Sequence, residues 1–238
     1  MFPIKNTVPV RYPPVATWML IAINCVVFLF ESSLSDAELN DFLSEFALIP
    51  ARYAEPTDLF DYLPFFTTMF LHGGWLHLIL NMWTLWLFGP AIEDQFGSGL
   101  YTLFYLACGL IASATHVVFN AGSTIPALGA SGAIAGVLGC YMRLFPAARV
   151  IVLIPVIFIP LFFAMPAVLF AGFWFLMQVL QATTELLVPS AGGSIAWWAH
   201  IGGFVAGYVL ASPLRYSRRP NWPRYSDQGI LGFDLMGR

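Results

Sequence analysis

Six apolar stretches follow one another along the chain, and shorter polar segments separate them. Each stretch approaches the roughly 20 residues that an α-helix needs to cross the hydrocarbon core of a bilayer. The expected fold class is therefore all-α: a polytopic membrane protein in which six transmembrane helices form a bundle, with a short central fourth helix. The predicted spans are 14–31, 72–91, 98–119, 130–146, 163–187 and 195–213.

The stretch from 150 to 184 carries no charged side chain and is long enough for two crossings. Pro155, Pro160 and Pro166 would each interrupt a continuous helix there. A second crossing would also place the arginine-rich C-terminal tail outside the cell, against the usual cytoplasmic location of basic residues. We therefore expect residues 150–162 to lie along the cytoplasmic interface and to lead into a single crossing.

The connection at 32–71 is the longest between two spans, and its apolar side chains are interleaved with acidic ones. A connection of this length usually has structure of its own, so we predict short amphipathic helices at the outer membrane surface. The fourth span, by contrast, begins abruptly after the neutral loop at 120–128. Because a short helix starts below the membrane surface, its first turn is expected to face a wet indentation that opens outward.

Composition strengthens the membrane assignment. Charged residues make up 10% of the chain and hydrophobic residues 59%, whereas soluble domains carry about 25% charged residues. The expected partners are membrane lipids and transmembrane proteins, with no nucleic acid among them, and the oligomeric state is left open. The first span is expected to remain as an uncleaved anchor, because no small-residue cleavage site follows it.

The basic residues predict an orientation in the membrane. If both termini are cytoplasmic, every basic residue except Arg52 falls on the cytoplasmic side, as such residues usually do. The protein is therefore expected in the cell (inner) membrane, with its site opening to the extracytoplasmic side. The chain then divides into a cytoplasmic arm at 1–13, a membrane domain at 14–213 and a cytoplasmic basic tail at 214–238.

Ser131 is a candidate nucleophile at the start of the fourth span, in the run Gly129-Ala130-Ser131-Gly132. Taken alone, Ser131 is more simply a helix N-cap, a position that serine favours. As a nucleophile it would gain from the two glycines, which let a substrate come close, and from the backbone N–H groups that a helix start offers to an anionic oxygen. The run is not the Gly-x-Ser-x-Gly elbow of soluble hydrolases, because Ala133 holds the last position.

His200 is the candidate base, and Gly203 and Gly207 share its face of the sixth span. A lone histidine in a membrane often only hydrogen-bonds to a neighbouring helix. Here a second glycine stripe starts beside Ser131 on the fourth span. Stripes of small residues let two helices approach closely, and a Ser–His hydrogen bond of about 2.6–3.2 Å requires such an approach of the fourth and sixth spans. The second stripe comprises Gly132, Gly136 and Gly139.

Other polar residues occur in the second and third spans. His77 and Asn81 are i,i+4 neighbours on one helical face. They can donate hydrogen bonds to a developing oxyanion, together with the backbone N–H of Ser131. Interhelical hydrogen bonding is the alternative for this pair. It is the preferred interpretation for His72, and His116 is assigned to packing.

No metal site is predicted. His72 and His77 are five residues apart rather than four, as they would be on a zinc-binding helix. No span carries a further carboxylate at comparable depth. For the same reason no buried aspartate is available as a third member of a triad, so Ser131 and His200 are expected to act as a pair.

Glu93 and Gly97 lie at the cytoplasmic turn between the second and third spans. This turn is far from the outer ends of the spans, where the candidate nucleophile lies. We therefore predict a structural role: the carboxylate accepts hydrogen bonds from backbone N–H groups beside a turn that depends on glycine.

Four motifs in this chain together resemble a known family. They follow one another in the order that the family shows: His77 with Asn81, Glu93 with Gly97, the Gly-Ala-Ser-Gly run at 129–132, and finally Ala199-His200 with its glycine stripe. Together they look like the rhomboid intramembrane serine proteases of the bacterial type, which have a six-helix core. The resemblance extends over about 14–213 of the chain.

The resemblance implies an activity and a set of roles. Ser131 would be the nucleophile and His200 the base, with His77 and Asn81 in the oxyanion hole. The substrates would be single-span membrane proteins, cut in or near the bilayer, and no cofactor or metal is expected. The first external connection departs from the family because it lacks the Trp-Arg pair of many members; Arg52-Tyr53 are its nearest basic and aromatic neighbours.

Two other functions remain open. Rhomboid-like members that have lost catalysis bind transmembrane helices without cleaving them, but here both Ser131 and His200 stand at the motif positions. A channel or transporter would use His77, His116 and His200 as a proton path. It would need a continuous polar route, and the cytoplasmic halves of the spans are mostly apolar.

Overall fold

Six helices of 14 to 22 residues occupy the six predicted spans in the part of the chain that the structure describes. The computed structural model describes residues 2–55, 58–156, 159–187 and 195–214, so the predicted tail lies outside it from residue 215 onward. In chain order the helices are α1 (Val15–Glu31), α2 (Asp36–Phe46), α3 (Pro64–Thr67), α4 (Trp75–Phe96), α5 (Ser98–Phe119), α6 (Ser131–Leu144), α7 (Ala167–Leu187) and α8 (Trp197–Leu214).

The long helices have the character of membrane segments. Among the described residues, α4, α5 and the Ala167–Glu185 part of α7 are long and apolar enough to cross a bilayer, and α1 is a shorter apolar helix. Large apolar side chains such as Trp18, Leu103 and Val118 are exposed on the outside of the bundle, where lipid would cover them. The predicted polytopic helical fold is confirmed, whereas the crossing of the membrane by all six helices stays a prediction.

The short helix α6 lies at the centre of the bundle. Every residue from Gly132 to Tyr141 is buried, and α4, α5, α7 and α8 all pack against this helix. A helix that is apolar on all sides requires such surroundings. With 14 residues at about 1.5 Å each, α6 is also shorter than a bilayer core, so its first turn starts within the bundle.

A three-stranded antiparallel sheet accompanies the helices. It joins the chain before α1 to the hairpin between α6 and α7, in the order β1-β2-β3. The hairpin covers the segment at 150–162 that was predicted to lie along the cytoplasmic interface. The helix α7 therefore begins at Ala167. The all-α prediction did not include this sheet, because a short apolar run is compatible with either a strand or a helix. The strands are β1 (Phe2–Asn6), β2 (Arg149–Val156) and β3 (Ile159–Pro166).

The connection between α1 and α4 contains the predicted short helices. The largest is α2, which begins with a capping box between Ser35 and Glu38. After it, the Arg52 guanidinium donates to the backbone carbonyl of Ser44, and the Tyr53 ring packs against Phe65 at 4.9 Å between ring centroids. Burial raises the pKa of the Tyr53 hydroxyl to about 12. Arg52 and Tyr53 therefore hold the connection folded on itself.

The same connection holds the segment that leads into α6. Leu48 forms an isolated antiparallel bridge with Ala127. The Thr68 hydroxyl donates to the carbonyl of Ala127 at 2.6 Å, and the N–H of Gly129 donates to the carbonyl of Thr68 at 2.9 Å. These bonds fix the backbone two residues before Ser131.

Glu93 joins three helices at the other end of α4. Its carboxylate accepts from the N–H groups of Ala16 and Thr17 at 2.8 Å each, in the first turn of α1. It also accepts from the hydroxyls of Thr17 at 2.7 Å and Ser98 at 2.6 Å. Gly97 makes the turn between α4 and α5 with φ 76°, in the left-handed region that glycine tolerates. A carboxylate at a helix start satisfies its free N–H groups, which gives Glu93 a structural position.

Candidate active site

Ser131 and His200 are in hydrogen-bond contact. The Ser131 Oγ lies 2.8 Å from the His200 Nε2, although 69 residues separate the two in the sequence. Ser131 is the first residue of α6, and Ala130 occupies the N-cap position without any side-chain cap. The hydroxyl is therefore directed at the imidazole. The simpler interpretation of the sequence, in which Ser131 caps the helix backbone, is wrong.

Backbone contact between α6 and α8 brings these two side chains together. A Cβ atom added at Gly203 would lie 1.9 Å from the carbonyl oxygen of Gly132, and one added at Gly207 would lie 1.9 Å from the carbonyl oxygen of Gly136. Non-bonded atoms do not come this close, so these positions admit glycine alone. The two glycine stripes of the sequence thus face each other, and each begins at one of the two reactive side chains.

The second ring nitrogen of His200 also has a polar partner. Gln178 on α7 is buried, and its Oε1 lies 2.8 Å from His200 Nδ1. The Gln178 amide nitrogen donates to the carbonyl of Trp174 at 3.1 Å. Sequence reasoning sought only a carboxylate as a third group and missed this residue. The sequence did contain a signal, namely a glutamine within an apolar span. A buried amide is costly unless it is hydrogen-bonded, so such a residue is expected to have a polar partner.

His77 and Asn81 on α4 lie beside the backbone that precedes Ser131. Gly129 has φ 123°, and a Cβ there would lie 2.7 Å from His77 Nε2 and 3.6 Å from the Asn81 amide nitrogen. The N–H of Gly73 donates to His77 Nδ1 at 3.4 Å, which leaves Nε2 as the protonated ring nitrogen. The buried amide nitrogen of Asn81 has no hydrogen-bond partner among the described residues. Two N–H donors therefore lie next to the serine.

All four side chains line one cavity of about 930 Å³. It lies between α4 and α7, with residues of α6 and α8 completing its wall. The remaining lining is largely apolar and includes Leu80, Phe173 and Trp174. The cavity continues along α4 as far as Phe88 and is also lined by Phe2 and Pro3 of β1. A space of this size and lining can hold an apolar peptide segment beside a few polar groups.

The other two histidines do not line this cavity. The interhelical hydrogen bond predicted for the His72 side chain is not formed: neither ring nitrogen has a partner among the described residues, and only the backbone N–H of His72 donates to the Glu31 carboxylate, at 3.2 Å. His116 lies 3.3 Å from the Asn120 side-chain nitrogen through its Nδ1. Within the described ranges, no three His, Cys, Asp or Glu side chains are grouped so as to hold a metal ion.

Comparison with known proteins places this arrangement in a family. Residues 60–217 match the family model of the Rhomboid domain. Rhomboid protease GluP of Bacillus subtilis (strain 168) is 33% identical over 132 residues, which cover 54% of this chain and 24% of the relative. Putative rhomboid protease YdcA of the same organism is 30% identical over 135 residues, covering 56% and 63%.

A eukaryotic relative shows a similar match. Rhomboid protein 1, mitochondrial, of Saccharomyces cerevisiae is 28% identical over 144 residues, which cover 59% of this chain and 38% of the relative. In each of these three relatives the chain spans less than two thirds of the relative's length. The family model, by contrast, covers more than half of this chain and includes the four cavity residues Ser131, His200, His77 and Asn81. The chain therefore belongs to the rhomboid family, which includes intramembrane serine proteases.

Proposed function

We propose that this chain is an intramembrane serine endopeptidase that cleaves single-span transmembrane proteins in or near the bilayer. The observation that carries the proposal is the 2.8 Å contact between Ser131 Oγ and His200 Nε2 at the wall of a largely apolar cavity. A hydroxyl in hydrogen-bond contact with a base is the pair that acyl transfer needs. Membership of the rhomboid family supports a protease-like function in the membrane as well.

The proposed chemistry uses His200 as base and then as acid. Ser131 attacks the scissile carbonyl while its proton passes to His200 Nε2. The protonated imidazole then gives this proton to the leaving amine, and the acyl group stays on Ser131. A water molecule in the cavity attacks the acyl-enzyme while His200 takes its proton. His200 then returns this proton to Ser131 Oγ as the bond to the acyl group breaks and the carboxylic acid product leaves.

The tetrahedral oxyanion would be bound by donors on two helices. These are His77 Nε2–H and the Asn81 amide on α4, with the backbone N–H of Ser131 at the start of α6. Support comes from the position of His77 and Asn81 beside the Gly129 backbone and from the absence, within the described chain, of any hydrogen-bond partner for the Asn81 amide nitrogen. A donor without a partner costs no rearrangement when the oxyanion forms.

The substrate would reach Ser131 through the space between α4 and α7. The cavity extends along α4 beyond the two reactive groups, which suits a segment that approaches from the lipid. Only an extended peptide can present its carbonyl to a serine, so the substrate helix must unwind locally. Residues with low helix propensity near the cleavage site would lower the free energy of this unwinding.

We also propose the membrane arrangement that the basic residues suggest. The catalytic unit is the membrane domain at 14–213, carried in the cell (inner) membrane, with both termini cytoplasmic and the site opening on the other side. The distribution of Lys and Arg supports this orientation. The proposed chemistry requires no metal or cofactor, because side chains and backbone supply each group.

The test compares purified wild-type protein with Ser131→Ala on a panel of single-span transmembrane substrates. Cleavage and labelling by a fluorophosphonate are expected in the wild type and absent in Ser131→Ala. Ser44→Ala is the matched control, because Ser44 is an exposed serine on α2, and it should behave like the wild type. Cleavage that continues in Ser131→Ala would contradict the proposal. A wild-type protein that binds transmembrane helices but neither cleaves nor labels would establish the non-proteolytic alternative.

A further inference from the structure

Gln178 lies on the side of His200 opposite to Ser131. Its Oε1 is 2.8 Å from His200 Nδ1, and its Nε2 is 3.1 Å from the backbone carbonyl oxygen of Trp174. Both side chains are buried: Gln178 is 6% exposed and His200 is 8% exposed. The amide therefore sits between two polar groups, and water does not replace either of them.

The two contacts fix which way the amide points. A backbone carbonyl can only accept a hydrogen bond, so the NH₂ group of Gln178 must face Trp174. The amide oxygen then faces His200, and since this oxygen also only accepts, the hydrogen of the neutral imidazole must be on Nδ1. The lone pair of Nε2 is thereby left for the Ser131 hydroxyl at 2.8 Å. The backbone of α7 thus selects the ring tautomer.

We propose that Gln178 is a positioning residue that holds His200 in the tautomer and orientation needed to accept the proton of Ser131. This inference rests on the proposed function and adds a third member to the proposed Ser–His pair. The Nδ1–H stays in place throughout: the Ser131 proton moves to Nε2 and later to the leaving amine. While the imidazole is protonated, the amide oxygen accepts from its charged N–H, a stronger hydrogen bond than the neutral one.

The chemistry of an amide suits this location. An ionised aspartate in this position would also accept from the ring, but an isolated charge within a bilayer is costly. A neutral amide gives the same directional acceptor without that charge. The aromatic neighbours cannot substitute for it: the Trp174 and Trp197 rings lie 5.7 Å and 6.1 Å from the His200 ring between centroids, and they confine the ring but offer it no acceptor.

The variant test replaces Gln178 with methionine, which has a similar length and no strong acceptor. Loss of a hydrogen bond to a charged group predicts a kcat about 10- to 100-fold lower. KM should stay within about twofold, because Gln178 does not line the cavity proposed to hold the substrate. The rate of Ser131 labelling by a small fluorophosphonate should fall by a similar factor. Gln181→Met is the matched control, because Gln181 is an exposed glutamine on the same helix, and all three quantities should stay at the wild-type level.

A measurement on the unmodified protein keeps the inference testable if Gln178→Met does not fold. Nitrogen NMR of ¹⁵N-histidine protein, above the usual titration range of histidine, reports which ring nitrogen carries the hydrogen. The His200 signals are identified as those lost in His200→Gln. We expect a protonated Nδ1 and an unprotonated Nε2 in the wild type, and a mixture of tautomers in Gln178→Met.

The outcomes separate this inference from the proposed function. An Nε2-protonated neutral His200 in the wild type would overturn the inference, and so would a folded Gln178→Met with unchanged kcat and labelling rate. In either case an inactive Ser131→Ala would leave the protease proposal standing. Normal cleavage by Ser131→Ala would remove both proposals.

Discussion

The two sides of the central helix are built in opposite ways. On the side of α8, glycines of α8 pack directly against the backbone of α6. A single methyl group added at Gly207 would lie 1.9 Å from the carbonyl oxygen of Gly136. Toward α4 and α7 the bundle leaves a cavity of about 930 Å³. Gly172 of α7, which does not line this cavity, has no atom within 4 Å of the place where its Cβ would be.

The difference matches what each side has to do in the proposed reaction. Ser131 and His200 must stay within hydrogen-bond distance, and a displacement of about 1 Å can lower a rate about 100-fold. Glycine-to-backbone packing leaves no room for such a displacement. A substrate, by contrast, must move in and out, which requires space and adjustable side chains. Rigidity therefore lies where the reactive groups meet, and open volume lies where a peptide would pass.

Glycine-to-alanine changes at a packed position and at an open one give the largest expected difference in effect. In Gly207→Ala the added methyl group meets backbone that no side-chain rotation can move, so α8 must shift and carry His200 with it. Cleavage should fall by more than about 100-fold, and the thermal unfolding midpoint should drop. Gly172→Ala adds the same methyl group on α7, outside the cavity and with open space around it, and should leave cleavage and unfolding at wild-type levels. Equal effects of the two changes would break the comparison.

Asn81→Ala removes an oxyanion donor that α4 presents across the cavity. Since the donor acts on charge that develops only in the transition state, kcat should fall about 100-fold while KM changes little. Steady-state kinetics on a transmembrane substrate measure both quantities. Asn120→Ala at the end of α5 lies outside the cavity and serves as the control with wild-type kinetics. An unchanged kcat in Asn81→Ala would remove this residue from the oxyanion hole.

Phe173→Ala is expected to have the smallest effect, and in the opposite direction. Phe173 lines the cavity from α7, and removing its ring widens the space that a substrate crosses. Cleavage of a transmembrane substrate should rise about threefold, whereas labelling by a small fluorophosphonate should not change. Leu176→Ala removes an exposed side chain of α7 that does not line the cavity and should alter neither rate. A parallel rise in cleavage and labelling would show that Phe173 affects the reactive pair itself.

Much of the fold could be predicted because hydrophobicity and glycine spacing are local properties of the chain. The apolar stretches located most ends of the six long helices to within three residues, but α7 starts four residues later and α4 ends five residues later than predicted. The sheet was missed, since pairing of β1 with β2 joins segments from distant parts of the chain. Such pairing depends on which edge a strand meets, and the sequence of either strand does not state this.

The candidate site was likewise predicted only in part. Ser131, His200, His77 and Asn81 were chosen from residue type and spacing, and the structure brings all four to one cavity. Gln178 was not chosen, because only a carboxylate was considered as a third group. A search for amides would have found Gln181 as well, and the sequence does not say which of the two faces inward. The structure buries the first and exposes the second, since packing against α6 and α8 sets the rotation of α7 about its axis.

By itself the sequence determined that this chain lies in a membrane, where its helices run and which two of them approach at their backbones. Each of these follows from side-chain chemistry within a single segment, namely apolar length or the lack of a Cβ. Only the tertiary structure decided that a hydroxyl and an imidazole meet at 2.8 Å and that an amide from a third helix holds the far side of the ring. Those distances depend on how separate segments rotate and pack against one another, and no single segment encodes them.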